Sequence, residues 1–465
     1  MATMNQQRPA DVLVIFGITG DLAKVMTFRS LYRLEMRKLL DCPIVGVAVD
    51  DWTVEKLREH ARECIEGTGE ELDKEVFDRL AERLSYVQGD FSDDAAYGRV
   101  ATAIKGKETP VFYLEIPPFL FGTVVKGLSD AGLTKDARVV VEKPFGHDQA
   151  SARALAAELH QYIDETQLYR IDHYLGKMGL VEILHLRFMN SMLEPVWSRN
   201  YLECVEITMA EDFGVEDRGH FYDPVGALRD VVVNHLMQVV AACAMEAPSR
   251  GDPQTLKDSQ VGLFRAVMEA DPANYVRGQY DGYRSIDGVA PDSTTETYAA
   301  LRLDIENWRW AGVPFFIRTG KRLPITQTEL RLVFQRPPKL GFGLMRHAEP
   351  NQVVVKLDPT TGIRMVMDAH RADIAGASAI ELDMEFAQEG GEGPTPYEVL
   401  LHAAMVGDNT RFTRQDAVEE TWRVMQPLLD APPPVHPYAK GSWGPEAADD
   451  LIAGHGRWYE PWSVS

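Results

Sequence analysis

The segment RIDHYLGK, residues 170–177, concentrates side chains that could hold a phosphate group. It carries Arg170, His173, Tyr174 and Lys177 within eight residues of a chain otherwise poor in positive charge. A phosphate monoester needs cationic and hydroxyl donors in close array, and charge-assisted hydrogen bonds are the strong ones. The segment predicts a binding site for a phosphorylated ligand. The alternative is a basic strand end that is exposed at the surface and has no ligand.

A glycine-containing turn near the N-terminus could bind the phosphates of a nucleotide. The strand-like DVLVIFG leads into GITGDLAK and then a helical pattern. A helix N-terminus offers unpaired N–H donors and partial positive charge. The spacing is GxxGxxA rather than GxGxxG, with Ala23 small enough for close helix packing. An ordinary strand-to-helix turn is the alternative. The residues of the predicted dinucleotide site are Gly17, Ile18, Thr19, Gly20, Asp21 and Leu22.

Acidic residues follow the second predicted strand, PIVGVAV. Asp50 is placed to hydrogen-bond the ribose hydroxyls of an adenosine, and Asp51 lies beside it. A carboxylate repels a 2′-phosphate at short range. The pair therefore favours NAD over NADP, and a solvated loop acid is the alternative interpretation.

Composition limits the partners. The net charge is −22, which argues against nucleic acid and anionic membranes. The four cysteines are too few and too scattered for a disulfide framework or a metal cluster, so neither is expected. We see no secretory signal and no stretch that approaches a membrane span, and we expect a cytoplasmic protein.

The elements that must position these residues change character along the chain. Short apolar runs alternate with helical patterns from Asp11 to about Tyr174, which predicts a doubly wound α/β sheet. Beyond about Lys177 come a helical run from His220 through Met245 and several strand-like runs without intervening helices. These predict an α+β half with a largely antiparallel sheet.

Seven segments together resemble the glucose-6-phosphate dehydrogenase family in order and spacing. They are GITGDLAK, EKPFG from Glu142, RIDHYLGK, RDVVVNH from Arg229, VPFFIRTGKRLP from Val313, YEVLLHAAMVGD from Tyr397 and GSWGP from Gly441. The resemblance extends over nearly the whole chain. It implies a Rossmann-like dinucleotide-binding domain over residues 1–176 and an α+β domain for substrate binding and oligomerisation over residues 177–465.

The activity implied by the resemblance is oxidation of D-glucose 6-phosphate at C1 to 6-phospho-D-glucono-1,5-lactone, the first step of the oxidative pentose phosphate pathway. The hydride would pass to a nicotinamide cofactor. A homodimer or homotetramer is also implied.

The resemblance assigns a general base, His235, which would accept the proton of the C1 hydroxyl. On a regular α-helix Asp230 and His235 lie about 140° apart, at roughly 100° per residue, so they do not share a face. Asp230 is then expected to touch substrate, and the family's orienting carboxylate is Asp172. A lone helical histidine is otherwise more often structural.

Further roles follow from the resemblance alone. Those expected to bind the sugar phosphate are Lys143, His173, Tyr174, Lys177, Glu211, Asp230 and Lys321. Lys143 would also contact the cofactor, and Tyr113 would place its main chain beside it. The Lys143–Pro144 bond is expected to be cis.

The sequence departs from the family where an NADP phosphate would bind. NADP-using members carry an arginine after the second strand, and here the aligned residue is Val49. Gln327 stands where many relatives show a lysine. We predict that NAD is preferred, with dual NAD and NADP use as the second possibility.

Two alternatives stay open. One is a dehydrogenase of another sugar or sugar phosphate, against which the phosphate-suited segment 170–177 argues. The other is a non-catalytic NAD-binding regulator. Such a regulator would be expected to have lost site residues, but all five of the most telling ones are intact. These are Asp172, His173, Lys177, Asp230 and His235.

Overall fold

A computed structural model describes residues 8–338, 349–370, 377–386 and 393–462. The chain forms two compact units. Unit 1 comprises Met1–Gly176, Pro248–Lys257 and Pro394–Glu419, and unit 2 comprises Lys177–Ala247, Asp258–Gly393 and Glu420–Ser465, as far as these are described. The boundary between the two units and the domain boundary predicted from the sequence both follow residue 176, but unit 1 also includes two later segments. That the boundary at 176/177 separates two functional domains stays a prediction.

The helices follow the chain in this order: α1 (Phe28–Met36), α2 (Val54–Gly67), α3 (Lys74–Arg83), α4 (Asp94–Ala103), α5 (Phe121–Asp130), α6 (Gln149–Leu159), α7 (Met178–Phe188), α8 (Gly219–Tyr222), α9 (Met237–Ala244), α10 (Pro253–Ala266), α11 (Pro396–Val406), α12 (Gln415–Asp430) and α13 (Ala447–Leu451). Two segments, Ala23–Thr27 and Leu228–Leu236, are π-helical. No described helix is long and apolar enough to cross a lipid bilayer.

Unit 1 contains a six-stranded parallel sheet. Its strands are β1 (Val12–Phe16), β2 (Ile44–Ala48), β3 (Leu84–Gln88), β4 (Pro110–Leu114), β5 (Arg138–Glu142) and β6 (Leu168–Ile171), in the order β3-β2-β1-β4-β5-β6. β1, β2, β4 and β5 are buried along their whole length, as expected for strands covered on both faces. The order reverses between β1 and β4, and open α/β sheets bind ligands at the carboxyl edge of such a point. The predicted doubly wound fold is confirmed.

Side chains fix where several helices of unit 1 begin. Thr53, Asp73 and Asp93 accept hydrogen bonds from the first amides of α2, α3 and α4. These caps satisfy donors that lack partners within the helix. They explain why short polar residues between the apolar runs start these three helices.

α11 completes the core of unit 1 from far along the chain. Leu400 and Leu401 lie in the same apolar cluster as Leu13 of β1. The Arg138 guanidinium donates to the carbonyl oxygens of Ala404 and Met405 at 3.0 and 2.9 Å. A cation at the carbonyl end of a helix also complements its dipole, so the helix is held by both apolar and charged contacts.

Unit 2 contains a nine-stranded sheet. Its strands are β7 (Leu202–Ala210), β8 (Tyr275–Tyr280), β9 (Tyr298–Leu303), β10 (Phe315–Gly320), β11 (Gln327–Phe334), β12 (Gln352–Asp358), β13 (Gly362–His370), β14 (Ala377–Glu385) and β15 (Val435–Tyr438). The order is β14-β13-β12-β11-β7-β10-β9-β8-β15. Only the pairs β7/β10 and β8/β15 are parallel among these strands. The predicted mainly antiparallel sheet is confirmed.

The helical run predicted over residues 220–245 is not one helix. α8 ends at Tyr222, the π-helical segment begins at Leu228, and α9 follows it. Gly226, between them, has φ 73°, in the left-handed region that a right-handed helix does not contain. The apolar periodicity gave no sign of this interruption.

Candidate active site

The glycine turn lies at the carboxyl end of β1. Gly17 has φ 86°, and an added Cβ would overlap the carbonyl oxygen of Glu115. Other residues disfavour this conformation, and here they would also lack space. The Gly20 amide donates to the Gly17 carbonyl oxygen at 2.8 Å, which closes the turn. The turn therefore presents bare main chain at the edge where an anion is expected.

The residues after Gly17 divide between core and helix. Ile18 is buried in the apolar core of unit 1. Asp21 and Leu22 begin the helix, which continues through the π-helical segment Ala23–Thr27 into α1. The first amides of this helix follow directly from the turn, as a phosphate site requires.

Asp50 is drawn toward the glycine turn. The Thr19 hydroxyl donates to the Asp50 carboxylate, Oγ1 to Oδ2, at 2.7 Å. The Tyr86 hydroxyl donates to the Asp50 carbonyl oxygen, also at 2.7 Å. Val49 beside it is 58% exposed. The structure thus joins the two parts of the predicted dinucleotide site and leaves an apolar side chain where NADP users carry arginine.

Two buried carboxyl groups, here called the acid pair, lie at the carboxyl ends of β4 and β5. Glu115 directly follows β4, and Glu142 is the last residue of β5. Tyr113 donates to Glu142 at 2.6 Å, and Thr27 donates to Glu115. Tyr397 lies 3.4 Å from the other Glu142 oxygen. The Tyr113 side chain is therefore committed to the acid pair rather than to a ligand.

Burial dominates the ionisation of the acid pair. It raises the pKa of Glu115 to about 8, against a lowering by the Thr27 hydrogen bond. It raises the pKa of Glu142 to about 7, against hydrogen bonds from Tyr113 and the charge of Lys143. Carboxylates in water ionise near 4, so burial moves these two groups into the neutral range.

Lys143 emerges next to the acid pair. It follows β5 directly, at the carboxyl edge of the parallel sheet. The Lys143–Pro144 bond is cis, as predicted. This edge is where open α/β sheets place their ligands.

The predicted phosphate segment begins where β6 ends. Asp172 is buried, and its carboxylate accepts a hydrogen bond from the Tyr174 amide at 3.0 Å. His173 starts a 3-10 turn, His173–Gly176, and its ring lies 5.4 Å from that of Tyr174. Arg170 differs from the expectation, because it is buried and paired with Glu165 at 2.7 Å. Arg170 therefore belongs to the core. Three side chains of the segment remain suited to bind a phosphate: His173, Tyr174 and Lys177.

Lys177 caps the start of α7 in unit 2. Its ammonium lies 3.1 Å from the Asp358 carboxylate at the end of β12. The two side chains are only 18% and 36% exposed, so the pair is partly shielded from solvent. The Asp358 carboxylate therefore helps to orient the Lys177 ammonium.

Glu211 and Lys321 form an ion pair at the ends of two parallel strands. The Lys321 nitrogen lies 2.7 Å from a Glu211 oxygen. β7 and β10 pair in register, Ala210 opposite Gly320, so the next residue of each strand leaves the same edge. The Lys321 ammonium also lies over the rings of Phe213 and Tyr222, at 5.0 and 5.3 Å. Two residues 110 positions apart are brought together by topology alone.

Asp230 and His235 lie on the π-helical segment Leu228–Leu236 rather than on an α-helix. A π turn closes after five residues instead of four, so residues five apart return toward the same face. The expected separation of about 140°, drawn from α-helix geometry, is therefore wrong for this segment. His235 is 4% exposed. π turns occur often at functional sites.

Asp230 acts on the same tyrosine as the Glu211–Lys321 pair. Burial raises the pKa of Tyr222 well above its usual value, and the negative charges of Asp230, Glu296 and Glu211 raise it further. Lys321 lies over that ring. Asp230, Glu211, Lys321 and Tyr222 therefore form one cluster of polar side chains in unit 2.

Gln327 is placed in the sheet. It begins β11, is buried, and donates to Glu329 at 3.2 Å. The Gln327 side chain therefore forms a hydrogen bond within β11.

Two family models match consecutive parts of the chain. The model described as "Glucose-6-phosphate dehydrogenase, NAD binding domain" matches residues 14–181, and "Glucose-6-phosphate dehydrogenase, C-terminal domain" matches residues 184–460. The chain belongs to the glucose-6-phosphate dehydrogenase family. It is an oxidoreductase whose Rossmann-like sheet binds a nicotinamide cofactor.

Relatives within the family are similar over the full length. Glucose-6-phosphate 1-dehydrogenase 1 of Mycobacterium tuberculosis is 54% identical over 97% of both chains. The crystal structure of glucose-6-phosphate 1-dehydrogenase from Mycobacterium avium is 52% identical with a TM-score of 0.94, covering 98% of this chain and 100% of that one. A structure described as glucose-6-phosphate dehydrogenase in complex with its substrate glucose-6-phosphate is 31% identical with a TM-score of 0.91, at the same coverage.

Sequence reasoning did not find the acid pair or the side chains of Tyr113 and Tyr397 that donate to Glu142. Glu115, Glu142 and Tyr397 appear only as letters within apolar runs or motifs, and Tyr113 was expected to act through its main chain. The available signal was positional, because each acid ends an apolar strand at the carboxyl edge of a parallel sheet. A carboxylate there is either buried or directed at the ligand.

Proposed function

We propose that this protein oxidises D-glucose 6-phosphate at C1 to 6-phospho-D-glucono-1,5-lactone, with hydride transfer to a nicotinamide cofactor. The assignment of this substrate rests on the similarity, over 98% of the chain and with a TM-score of 0.91, to a family member bound to glucose-6-phosphate. This reaction would be the first step of the oxidative pentose phosphate pathway.

His173, Tyr174 and Lys177 bind the phosphate. They supply an imidazole, a hydroxyl and an ammonium, which match the oxygens of a monoester. Lys177 would leave Asp358, now 3.1 Å away, for a doubly charged phosphate. That exchange replaces a singly charged carboxylate partner with a more highly charged anion.

Glu211, Lys321 and Asp230 hold the sugar. Their carboxylates accept hydrogen bonds from hydroxyl groups, and the ammonium donates. The 2.7 Å pair between Glu211 and Lys321 fixes both side chains before substrate arrives. Fixed partners lose less conformational freedom on binding.

His235 takes the proton of the C1 hydroxyl. Imidazole is the side chain most often used as a general base near neutral pH, and His235 is buried with 4% exposure. Asp172 is proposed to orient the ring and stabilise its charged form. A nicotinamide cofactor held by the glycine turn would supply the hydride acceptor.

The glycine turn and Asp50 hold the cofactor, with the main chain of Tyr113 and the Lys143 ammonium beside it. The bare main chain at Gly17 fits a pyrophosphate, because any side chain there would fill the space. Asp50, already bound by Thr19, accepts the ribose hydroxyls and repels a 2′-phosphate. NAD is therefore preferred, with weaker use of NADP.

Unit 2 also has a surface suited to self-association. β14 is an edge strand of the nine-stranded sheet, and Leu382 and Met384 on it are exposed. Leu382 and Met384 are two residues apart and so lie on the same face of the strand, and adjacent exposed apolar side chains mark interaction surfaces. Their exposure supports the homodimer or homotetramer that we propose.

The proposal is tested by following absorbance at 340 nm with glucose 6-phosphate and either NAD or NADP. We expect reduction of both, with a higher kcat/KM for NAD. His235→Asn should lower kcat by several orders of magnitude while the variant still binds substrate. His185→Asn, an exposed histidine of α7, serves as the matched control and should keep wild-type rates.

Three outcomes would contradict the proposal. Reduction of neither cofactor would favour the non-catalytic regulator. Turnover of an unphosphorylated sugar in preference to glucose 6-phosphate would favour another sugar dehydrogenase. A kcat/KM tenfold higher with NADP would reject the NAD preference.

A further inference from the structure

The acid pair lies against the elements that form the glycine turn. The Glu115 amide donates to the Phe16 carbonyl oxygen at 2.9 Å, and its own carbonyl oxygen fills the space beside Gly17. Its carboxyl accepts from Thr27, the last residue of the π-helical segment that follows the turn. Glu115 thus contacts both sides of the predicted pyrophosphate site, at the point where the strand order reverses.

The two carboxyl groups are nearly excluded from water, with Glu115 9% and Glu142 8% exposed. Within the described residues neither forms an ion pair. One Glu115 oxygen is buried without a hydrogen-bond partner among those residues. A buried carboxylate with so little compensation is costly, so the pair holds protons instead.

The charges that act on the acid pair are few. The charge of Glu142 raises the pKa of Glu115, and the charge of Asp172 raises the pKa of Glu142. Lys143 acts on Glu142 in the opposite direction. The remaining titratable groups in contact are Tyr113 and Tyr397, which burial keeps protonated by raising the pKa of each. The pair therefore ionises near neutral pH, whereas Tyr113 and Tyr397 stay protonated.

We propose that binding of the dinucleotide to unit 1 is coupled to uptake of a proton from solvent by the acid pair. The cofactor brings the negative charge of its pyrophosphate to the turn that Glu115 touches, and a nearby negative charge favours the protonated acid. Coupling is reciprocal, so ionisation of the pair at alkaline pH must weaken cofactor binding. The inference rests on the proposed cofactor site but requires no turnover.

Calorimetric titration of NAD⁺ into the full-length protein tests this, in HEPES and in Tris at the same pH. The two buffers differ in ionisation enthalpy, so the difference in heat counts the protons exchanged. At pH 8 we expect net uptake of up to about one proton, since Glu142 is then mostly ionised and Glu115 about half ionised. Affinity for NAD⁺ should fall by up to about tenfold between pH 8 and pH 9.

Glu115→Gln and Glu142→Gln are the informative variants, because glutamine has the shape of the protonated acid. Each should still bind NAD⁺ with reduced uptake, and the double variant should bind with none and with affinity independent of pH. The matched control is Glu108→Gln, which removes a 76% exposed carboxylate that precedes β4 at the opposite edge of the sheet. It should behave as the wild type.

The outcomes separate the two proposals. Binding of NAD⁺ by the wild type without proton uptake would overturn the inference and leave the cofactor site standing. Undiminished uptake in the double variant would also overturn it, by assigning the proton elsewhere. Failure of both NAD⁺ and NADP⁺ to bind would reject the proposed cofactor site itself. If one single variant fails to fold, the other carries the same test.

Discussion

The Asp50 carboxylate is fixed before any nucleotide arrives. Thr19, within the glycine turn, donates to it at 2.7 Å, and Tyr86 holds its main chain. Val49 beside it is exposed and carries no charge. A ribose with free hydroxyls meets a ready acceptor, whereas a 2′-phosphate meets a carboxylate and no cation.

Replacing Val49→Arg and Asp50→Ser together should reverse the cofactor preference. The change removes one carboxylate that repels the 2′-phosphate and adds one guanidinium that attracts it. Each change should alter the free energy of NADP binding by about 1.5–3 kcal/mol. We expect the ratio of kcat/KM for NADP to that for NAD to rise at least about 100-fold. Steady-state kinetics with both cofactors measure it.

Asp51→Ser is the control for that variant. It removes the neighbouring carboxylate, for which the structure shows no contact with the glycine turn, and should change the ratio far less. An equal effect from Asp51→Ser would mean that general negative charge, rather than the placed Asp50, sets the preference.

At the level of single residues, sequence reasoning worked where a motif carries a fixed backbone role. Gly17 and the cis bond before Pro144 were predicted, and both are present. It failed for Arg170, which was counted among the phosphate donors but is buried against Glu165. Nothing in the letters distinguishes a cation directed at a ligand from one that pairs with an acid five residues earlier.

Among the elements, the π-helical segment Leu228–Leu236 shows the limit of periodic reasoning. The prediction for Asp230 and His235 used 3.6 residues per turn, and a helix closed by i→i+5 bonds does not keep that period. The apolar pattern of LRDVVVNHL fits either geometry. Only the surrounding packing selects one, and packing is not visible in a single segment.

α11 shows how a distant element is held in place. Thr395 and Glu398 form a reciprocal cap at its start. The Glu398 carboxylate is buried and lies 3.0 Å from Arg33 and 3.3 Å from Arg37 in the region of α1. One acid therefore serves both the cap and a charged contact between two helices.

Glu398→Gln should destabilise the protein by about 3 kcal/mol, because it removes a buried charge that faces two arginines. Glutamine keeps an acceptor for the Thr395 amide, so the loss reports mainly the ion pair. Urea unfolding measures it. Glu419→Gln removes the partner of Arg153 from an exposed pair and should cost less than about 1 kcal/mol. Equal costs for the two variants would contradict the argument.

On the scale of the whole molecule, the alternation of strands and helices predicted both sheets and their class. It did not predict that unit 1 draws in Pro248–Lys257 and Pro394–Glu419. The motif around Tyr397 was visible only as a family resemblance. Long-range assembly of this kind leaves no local pattern, because the signal lies in which distant apolar faces match.

Residues 1–176 alone should therefore not fold stably. Without α11 the cluster around Leu13 and Tyr169 is open, and the Arg138 guanidinium loses two of its acceptors. We expect no cooperative thermal transition by circular dichroism and no NAD⁺ binding. Joining residues 394–419 to this fragment through a flexible linker should restore a transition. A cooperative, NAD⁺-binding 1–176 fragment would contradict the expectation.

The contact between Arg138 and the last carbonyl groups of α11 also has a consequence for biosynthesis. The strand that carries Arg138 leaves the ribosome early, but its acceptors at residues 404 and 405 emerge only after most of unit 2 has been translated. The first part of the protein to be made is thus among the last to be finished. During that interval its apolar surface is available to chaperones, and a message truncated before codon 394 would yield a nascent chain that cannot mature.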